Sequence, residues 1–439
     1  MKGSVMKKFL FFLLLLLPTM AQAKILDLNT FTLSNGLMVA VIENHKAPIA
    51  LQMLFYKTGS INDPKGKGGI AHLLEHLMFR GTKNVPDQSF NSLTDLHGIA
   101  NNAYTTYNVT AYHELADISK LELMMALEAD RMHNLTISDE AFNKEREVVL
   151  QERYQRFETQ PAPLFYESLN ALLWQNQPRA NPVSGAVDDI KALQKKDAEN
   201  FYQHWYAPNN ALLVIAGDIS LADVRPLVEK YYGHIKPATI KPMPKLSTEI
   251  RPMSMSIRSK LEGVTQPRFC SYIRIEPDTL TLKDEMALSV LATYLADDDT
   301  SFLYQQLVYQ NKKFLSADIS FSYDNPMGGT FAFYTIPADK NLTAADIQNI
   351  YDKTLNDALK ALNNETIEKI KNHILSDTVY LSENPSDSAQ FVGGLLLKGY
   401  SAEEIIHYDE ALKQISLDDV RRAWAKVQQS KVRINGYLE

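Results

Sequence analysis

An α+β fold made of two related units is predicted by three features of this 439-residue chain. Strand-like and helix-like stretches alternate, but without the regular strand, helix, strand spacing of a parallel sheet. The segment from Lys236 to Pro252, which carries Pro237, Pro242, Pro244 and Pro252, divides the chain near its middle as a linker does. After that break a strand-like run at 269–275 and helical stretches at 283–296 and 301–310 echo the layout of residues 50 to 80. The expected division is residues 24–236, a linker at 237–252, and a second unit at 253–439. A composition of 45% hydrophobic and 22% charged residues is that of an ordinary globular chain, and the length suffices for two domains.

Taken in order, the chain opens with Lys2, Lys7 and Lys8 ahead of an apolar run from Phe9 to Leu17, then Pro18 and Ala21-Gln22-Ala23. That is the form of a secretory signal peptide over residues 1–23, cleaved after Ala23. The apolar run is too short for a membrane anchor, which needs roughly 20 residues. Export to the periplasm or the medium is the expectation. Cleavage would remove three lysines and no acid, leaving a protein more acidic than the net −7 of the whole chain. Such a charge argues against nucleic acid and against an anionic membrane surface as partners. The single cysteine, Cys270, excludes an internal disulfide framework, and no lipobox cysteine follows the signal. A buried, inert thiol is expected there.

Ser34-Asn35-Gly36 joins the runs Thr30 to Leu33 and Leu37 to Ile42 as a hairpin turn would, and Ala50 to Tyr56 reads as a third strand. A glycine-rich turn, Gly66-Lys67-Gly68-Gly69, then leads into a helix. Further helices are readable at about 117–133, 138–157 and 220–232, and Ala211 to Ala216 is a continuous apolar run suited to a buried strand.

The helix after the glycine turn holds His72-Leu73-Leu74-Glu75-His76. A helix advances about 100° per residue, so positions i and i+4 lie on one face and both imidazoles can reach one metal ion. Glu75 then stands beside the open coordination position, where a carboxylate can take a proton from an activated water. The order H-x-x-E-H is a known inversion of the commoner metallopeptidase motif. A third ligand is offered by the helix beginning at Ser138, an N-cap followed by acidic residues, on which Phe142, Val149 and Leu150 can build an apolar face. Glu145 and Glu152, seven apart, point the same way, whereas Glu147 projects off that line. The alternative for this segment is an ordinary solvated charged helix. His45, His97, His113, His133, His204, His234, His373 and His407 lack ligand-like spacing.

His72 to His76, followed 76 positions later by the last Glu of Glu145-Arg146-Glu147-Val148-Val149-Leu150-Gln151-Glu152, resembles the pitrilysin, insulinase and mitochondrial-processing-peptidase family of zinc metallopeptidases. Phe79-Arg80-Gly81-Thr82, Asn101-Asn102-Ala103-Tyr104-Thr105, Glu128-Ala129-Asp130-Arg131-Met132, and Tyr206-Ala207-Pro208-Asn209-Asn210-Ala211 with Ala216-Gly217-Asp218 fit the same family, so the resemblance covers roughly residues 30 to 220. It implies one Zn2+ per chain held by His72, His76 and Glu152, with Glu75 as general base and Glu145 as a second active-site carboxylate. Asn102 and Ala103 become candidates for binding an extended peptide by strand addition. Phe79 is a third, although a core position suits its side chain better.

Members of that family are built from two homologous α+β domains, each a mainly antiparallel sheet with packed helices, and four such domains close like a clamshell around a chamber. This chain would supply two of the four. The resemblance also places an Arg and, seven residues on, a Tyr in the C-terminal unit to hold substrate across from the zinc. In the stretch from Ser301 to Ser316 those places fall on Val308 and Leu315, which donate no hydrogen bond, unless Tyr309 or Arg274 substitutes. A second half-length subunit carrying the Arg/Tyr pair is therefore the expected partner. The favoured function is an exported zinc endopeptidase. A non-catalytic scaffolding or binding subunit of the same fold is the alternative, and an esterase or deacetylase with a similar zinc site is a third class.

Overall fold

The computed structural model describes residues 26–86, 89–240, 252–381 and 383–439. The signal segment and residues 241–251 of the expected linker lie outside them. Two mixed sheets dominate. The first has the order β1-β2-β6-β3-β5-β4, from β1 (Asp27–Thr32), β2 (Met38–Glu43), β3 (Ile49–Tyr56), β4 (Ala100–Thr105), β5 (Thr110–Asp117) and β6 (Ala211–Gly217). The second has the order β7-β11-β8-β10-β9, from β7 (Met253–Ser259), β8 (Arg268–Ile275), β9 (Phe314–Asp324), β10 (Gly328–Pro337) and β11 (Val432–Leu438).

The echo read in the sequence is a duplication in the fold. Removing β1 leaves β2-β6-β3-β5-β4 to be laid over β7-β11-β8-β10-β9. Each set has one parallel pair, β2 with β6 and β7 with β11, and is otherwise antiparallel. The helices repeat too. α1 (Ile70–Leu77), α2 (Leu121–Asn134), α3 (Asp139–Arg153), α4 (Pro161–Leu173) and α5 (Lys195–Trp205) are followed in the second unit by α6 (Leu282–Leu295), α7 (Ala344–Ala361), α8 (Asn364–Leu381), α9 (Pro385–Leu397) and α10 (Leu417–Gln428).

One face of each sheet packs on its own unit's helices. In the first unit Leu54, Tyr112 and Leu213 meet Leu73, Met125, Phe142 and Phe201; in the second, Phe269 and Phe331 meet Leu291, Tyr351 and Trp424. The opposite faces are covered by exchange. α9 lays Ala389, Val392 and Leu396 on Met53, Phe55 and Val214 of the first sheet, and α4 lays Phe165, Leu169 and Leu173 on Cys270, Ala332 and Ile434 of the second. This is why Ala211 to Gly217 is apolar at every position, with no polar alternation: β6 has protein on both sides. Close approach at both crossings uses glycine. A Cβ at Gly393 would stand 2.5 Å from the Phe55 ring, and one at Gly436 2.3 Å from Leu169 Cδ1.

Two predicted helices differ in detail. The one expected at 138–157 is α-helical to Arg153 and continues with π-helical geometry over Tyr154–Glu158; the one expected at 301–310 is π-helical over Tyr304–Gln310. Among the described residues no helix is long and apolar enough to cross a membrane.

Candidate metal centre

α1 buries Ile70, Ala71, Leu73, Leu74 and Leu77 in the first core, which turns His72 and His76 to the other side. Its start is unusual. Gly69, left-handed at φ 87°, provides no side-chain cap, and the carboxylate of Asp63 supplies one from six residues upstream, accepting from Gly69 N at 2.7 Å and Ala71 N at 3.2 Å. Burial pushes Asp63 up to about 8. α3 begins as expected, with Ser138 Oγ accepting from Ala141 N at 3.0 Å and Asp139 and Glu140 in the first turn.

α1 and α3 cross so that His72, His76 and Glu152 converge, one donor atom of each lying within 4.8 Å of the others. Glu152 Oε2 is 3.7 Å from His72 Nε2 and 3.8 Å from His76 Nε2. Among the described residues this is the one cluster of three or more His, Cys, Asp or Glu side chains with metal-site spacing. The donor set fits zinc. His72 is driven down to about 3 by burial, with His76 and Arg156 adding to it, so it is neutral, as a ligand must be. Its buried Nδ1 has no partner. His76 Nδ1 sits 3.1 Å from Glu145 Oε2, which places the proton on Nδ1 and leaves the Nε2 lone pair facing Glu152.

Glu145 stands behind His76. Its oxygens are taken by His76 Nδ1 and by Arg80, whose Nε lies at 2.6 Å. Burial opposes its charge, but the bonds from His76 and Arg80 outweigh this and hold it below the usual carboxylate range. Glu75 lies on α1, next to the cluster, and accepts from the hydroxyl of Thr105 on β4. Burial is the main influence on Glu75 and raises it. His76 is raised as well; burial opposes its charge, and Glu145, Glu152 and Glu75 outweigh that.

These groups open on a cleft of about 1000 Å³. β4 forms one wall. Among the described strands it pairs with β5 alone, so its outer edge has no strand partner along Asn102, Ala103 and Tyr104, and Ala103 N is held by the side-chain Oδ1 of Asn102 at 2.9 Å. Phe79 does two jobs, lining the cleft while its ring packs against Phe90 and Tyr112. The far wall comes from the second unit, with Tyr272, Thr330 and Tyr334. Asp63, the Thr105 contact and the Arg80 contact were not singled out by sequence reasoning, although Arg80 and Thr105 fall inside motifs it quoted.

A family model described as Insulinase (Peptidase family M16) matches residues 38–187, the span that holds this cluster, and one described as Peptidase M16 inactive domain matches residues 192–374. The chain belongs to peptidase family M16. Among curated family members it is 27% identical over 408 residues to the zinc protease PqqE of Helicobacter pylori, covering 92% of this chain and 90% of that one. A crystal structure of a protease from Helicobacter pylori superposes with a TM-score of 0.84 at 24% identity, covering 94% of this chain and 100% of that one. The periplasmic protease PqqL of Escherichia coli superposes with a TM-score of 0.78 at 19% identity, and this chain spans 47% of that family member. Both superpositions establish the fold.

Proposed function

We propose that this chain is an exported, zinc-dependent endopeptidase acting on extended or unfolded peptides. One observation carries the reading: two histidines and a glutamate converge within 4.8 Å beside a further carboxylate, at the edge of a cleft walled by the edge strand β4. His72 and His76 would hold the metal through Nε2 and Glu152 through its carboxylate. Bound there, zinc would polarise a peptide carbonyl and acidify a water. Glu145 holds the His76 ring in the ligating tautomer. Glu75, fixed by Thr105, is the group positioned to accept a proton and return it to the leaving amine. β4 would take the substrate as an added strand along Asn102 and Ala103, using backbone pairing that makes little demand on sequence.

Residues 24–236, 237–252 and 253–439 serve in this reading as peptidase unit, linker and second unit. The protein is proposed to act in the periplasm or medium after cleavage behind Ala23, and to work as the zinc-bearing member of a heterodimer. Two features support a partner. Val308 and Leu315 cannot hydrogen-bond through their side chains; of the two possible substitutes, Arg274 is buried against Trp174 and bonded to Leu173 O and Glu276, and Tyr309 is exposed and lies outside the residues that line the cleft. Losing an oxyanion donor costs about 10²–10³ in rate, so the chain alone should be slow.

Purified protein is expected to carry one zinc per chain, to lose it in His76→Ala with the fold intact, and to keep it in Glu75→Gln while hydrolysing nothing. Full metal retention by His76→Ala, or near-normal hydrolysis by Glu75→Gln, would refute the assignment. Full activity of the isolated chain would remove the heterodimer.

A further inference from the structure

Beyond the metal cluster the cleft continues to the seam between the two units, where its wall changes character. Arg179 lies there, its guanidinium 4.4 Å from the ring of Trp174 and 5.2 Å from that of Tyr107, which follows β4. Nη1 donates to Gly328 O of the second unit at 3.2 Å. Four arginines line the cleft, and three have carboxylate partners: Arg80 with Glu145, Arg153 with Glu158 and Glu167, and Arg156 with Glu152. Arg179 forms no ion pair with any described residue. Asp324 attracts it at longer range but is bonded to Asn108 instead.

A guanidinium half withdrawn from water without an anion loses hydration, and two ring faces and one carbonyl return only part of that loss. The missing anion has an obvious source in a cleft that holds a peptide. The location is also right. Thr105, the last residue of β4, touches Glu75, and Tyr107 lies two residues on, in the turn that leads to β5. A peptide added along β4 with its reacting bond near Glu75 therefore runs toward the end of the strand at which Tyr107 and Arg179 stand.

Resting on the peptidase reading, we propose that Arg179 is a specificity-determining residue that binds a carboxylate of the peptide lying along β4. That carboxylate is either an Asp or Glu side chain flanking the reacting bond or the peptide's own C-terminus. Tyr166, Tyr272 and Tyr334, packed edge to face on one another, line the same cleft.

The experiment uses the full-length zinc-loaded Glu75→Gln chain, so that probes stay intact, and fluorescent ten-residue peptides of one sequence in three forms. The first ends in a free carboxylate and has no acidic side chain. The second is its C-terminal amide, and the third set is amidated with a single Asp, or Asn as control, moved along the peptide. One carboxylate form is expected to bind about 10–100-fold more tightly than its neutral counterpart, as a charged hydrogen-bond pair does. The form that shows the preference identifies the source. Arg179→Gln, which can still donate to Gly328 O, should erase the preference, and Arg179→Lys should keep part of it. A parent with no preference in either arm, or a full preference surviving in Arg179→Gln, overturns the proposal; a purely structural arginine would give one of these. A chain that shows the preference yet holds zinc no better than His76→Ala would uphold Arg179 and sink the peptidase reading.

Discussion

Replacing Arg131 by methionine is expected to destabilise the fold by about 3–5 kcal/mol, the usual cost of removing one partner from a buried ion pair. Arg131 is 1% exposed and its Nη2 bonds Glu128 and, at 2.7 Å, Glu114. The rest of the guanidinium is enclosed by Phe90, Phe79 and Tyr112, at 4.3, 4.9 and 4.9 Å from the ring centres. Each such contact adds about 0.5–2 kcal/mol, part of which methionine recovers by packing on the same rings. The two carboxyls face one cation. Burial, reinforced by Glu128, raises Glu114 well above the ordinary carboxylate range, so of the trio it is the group the fold disposes to hold a proton. Glu114→Gln should therefore cost under about 1 kcal/mol, because an amide resembles the protonated acid. The pH dependence has a definite sign. Unfolded Glu114 releases its proton near the ordinary value of about 4.3, and folded Glu114 holds it to higher pH. Above the ordinary carboxylate range the folded state binds the extra proton, so this residue makes stability fall as pH rises, and Glu114→Gln should flatten that slope. Urea unfolding of the three proteins between pH 5 and 8, compared by midpoint at constant slope, measures all of this. A cost below about 1 kcal/mol for Arg131→Met, or equal costs for the two variants, would show that the trio does not work as described.

Asp63→Ala removes the cap on the helix that carries His72 and His76, and should weaken zinc binding about 10–100-fold while lowering stability by about 1 kcal/mol. Competition against a chelator reads the first quantity, and an unchanged zinc affinity would refute the capping role. Cys270, whose thiol burial pushes up to about 12, should resist a thiol reagent at pH 8 in the native protein and react at once in denaturant; prompt labelling of folded protein would contradict its burial.

What could be read in advance follows from the range of the interactions. His72, Glu75 and His76 are linked by one helical turn, and Glu145 and Glu152 by two, so periodicity alone sets their common faces. The hairpin at Ser34-Asn35-Gly36 and the buried run Ala211 to Ala216 were legible for the same reason, since turn chemistry and uninterrupted apolarity are local. Asp63 was not legible, because its cap depends on how residues 64–68 fold back. Nor was Arg179, whose neighbours come from the turn after β4, from α4 and from the second sheet. An apolar face on α4 or α9 announces that it will be buried but does not name the sheet that buries it. The pairing of β2 with β6, strands some 170 residues apart, likewise belongs to the whole fold.

The exchange of α4 and α9 has the form of a swapped dimer in which each copy lends the other an arm. Two separate copies so arranged would assemble only as far as their concentration allowed. Carrying both on one polypeptide makes the encounter intramolecular, with an effective concentration set by the tether. The same arrangement denies either half an independent existence. Cut between residues 236 and 252, the first half would retain α4 with nothing beneath it and a sheet bare on the face that Phe55 and Val214 share. Each fragment would then be sticky alone and soluble only in the company of the other.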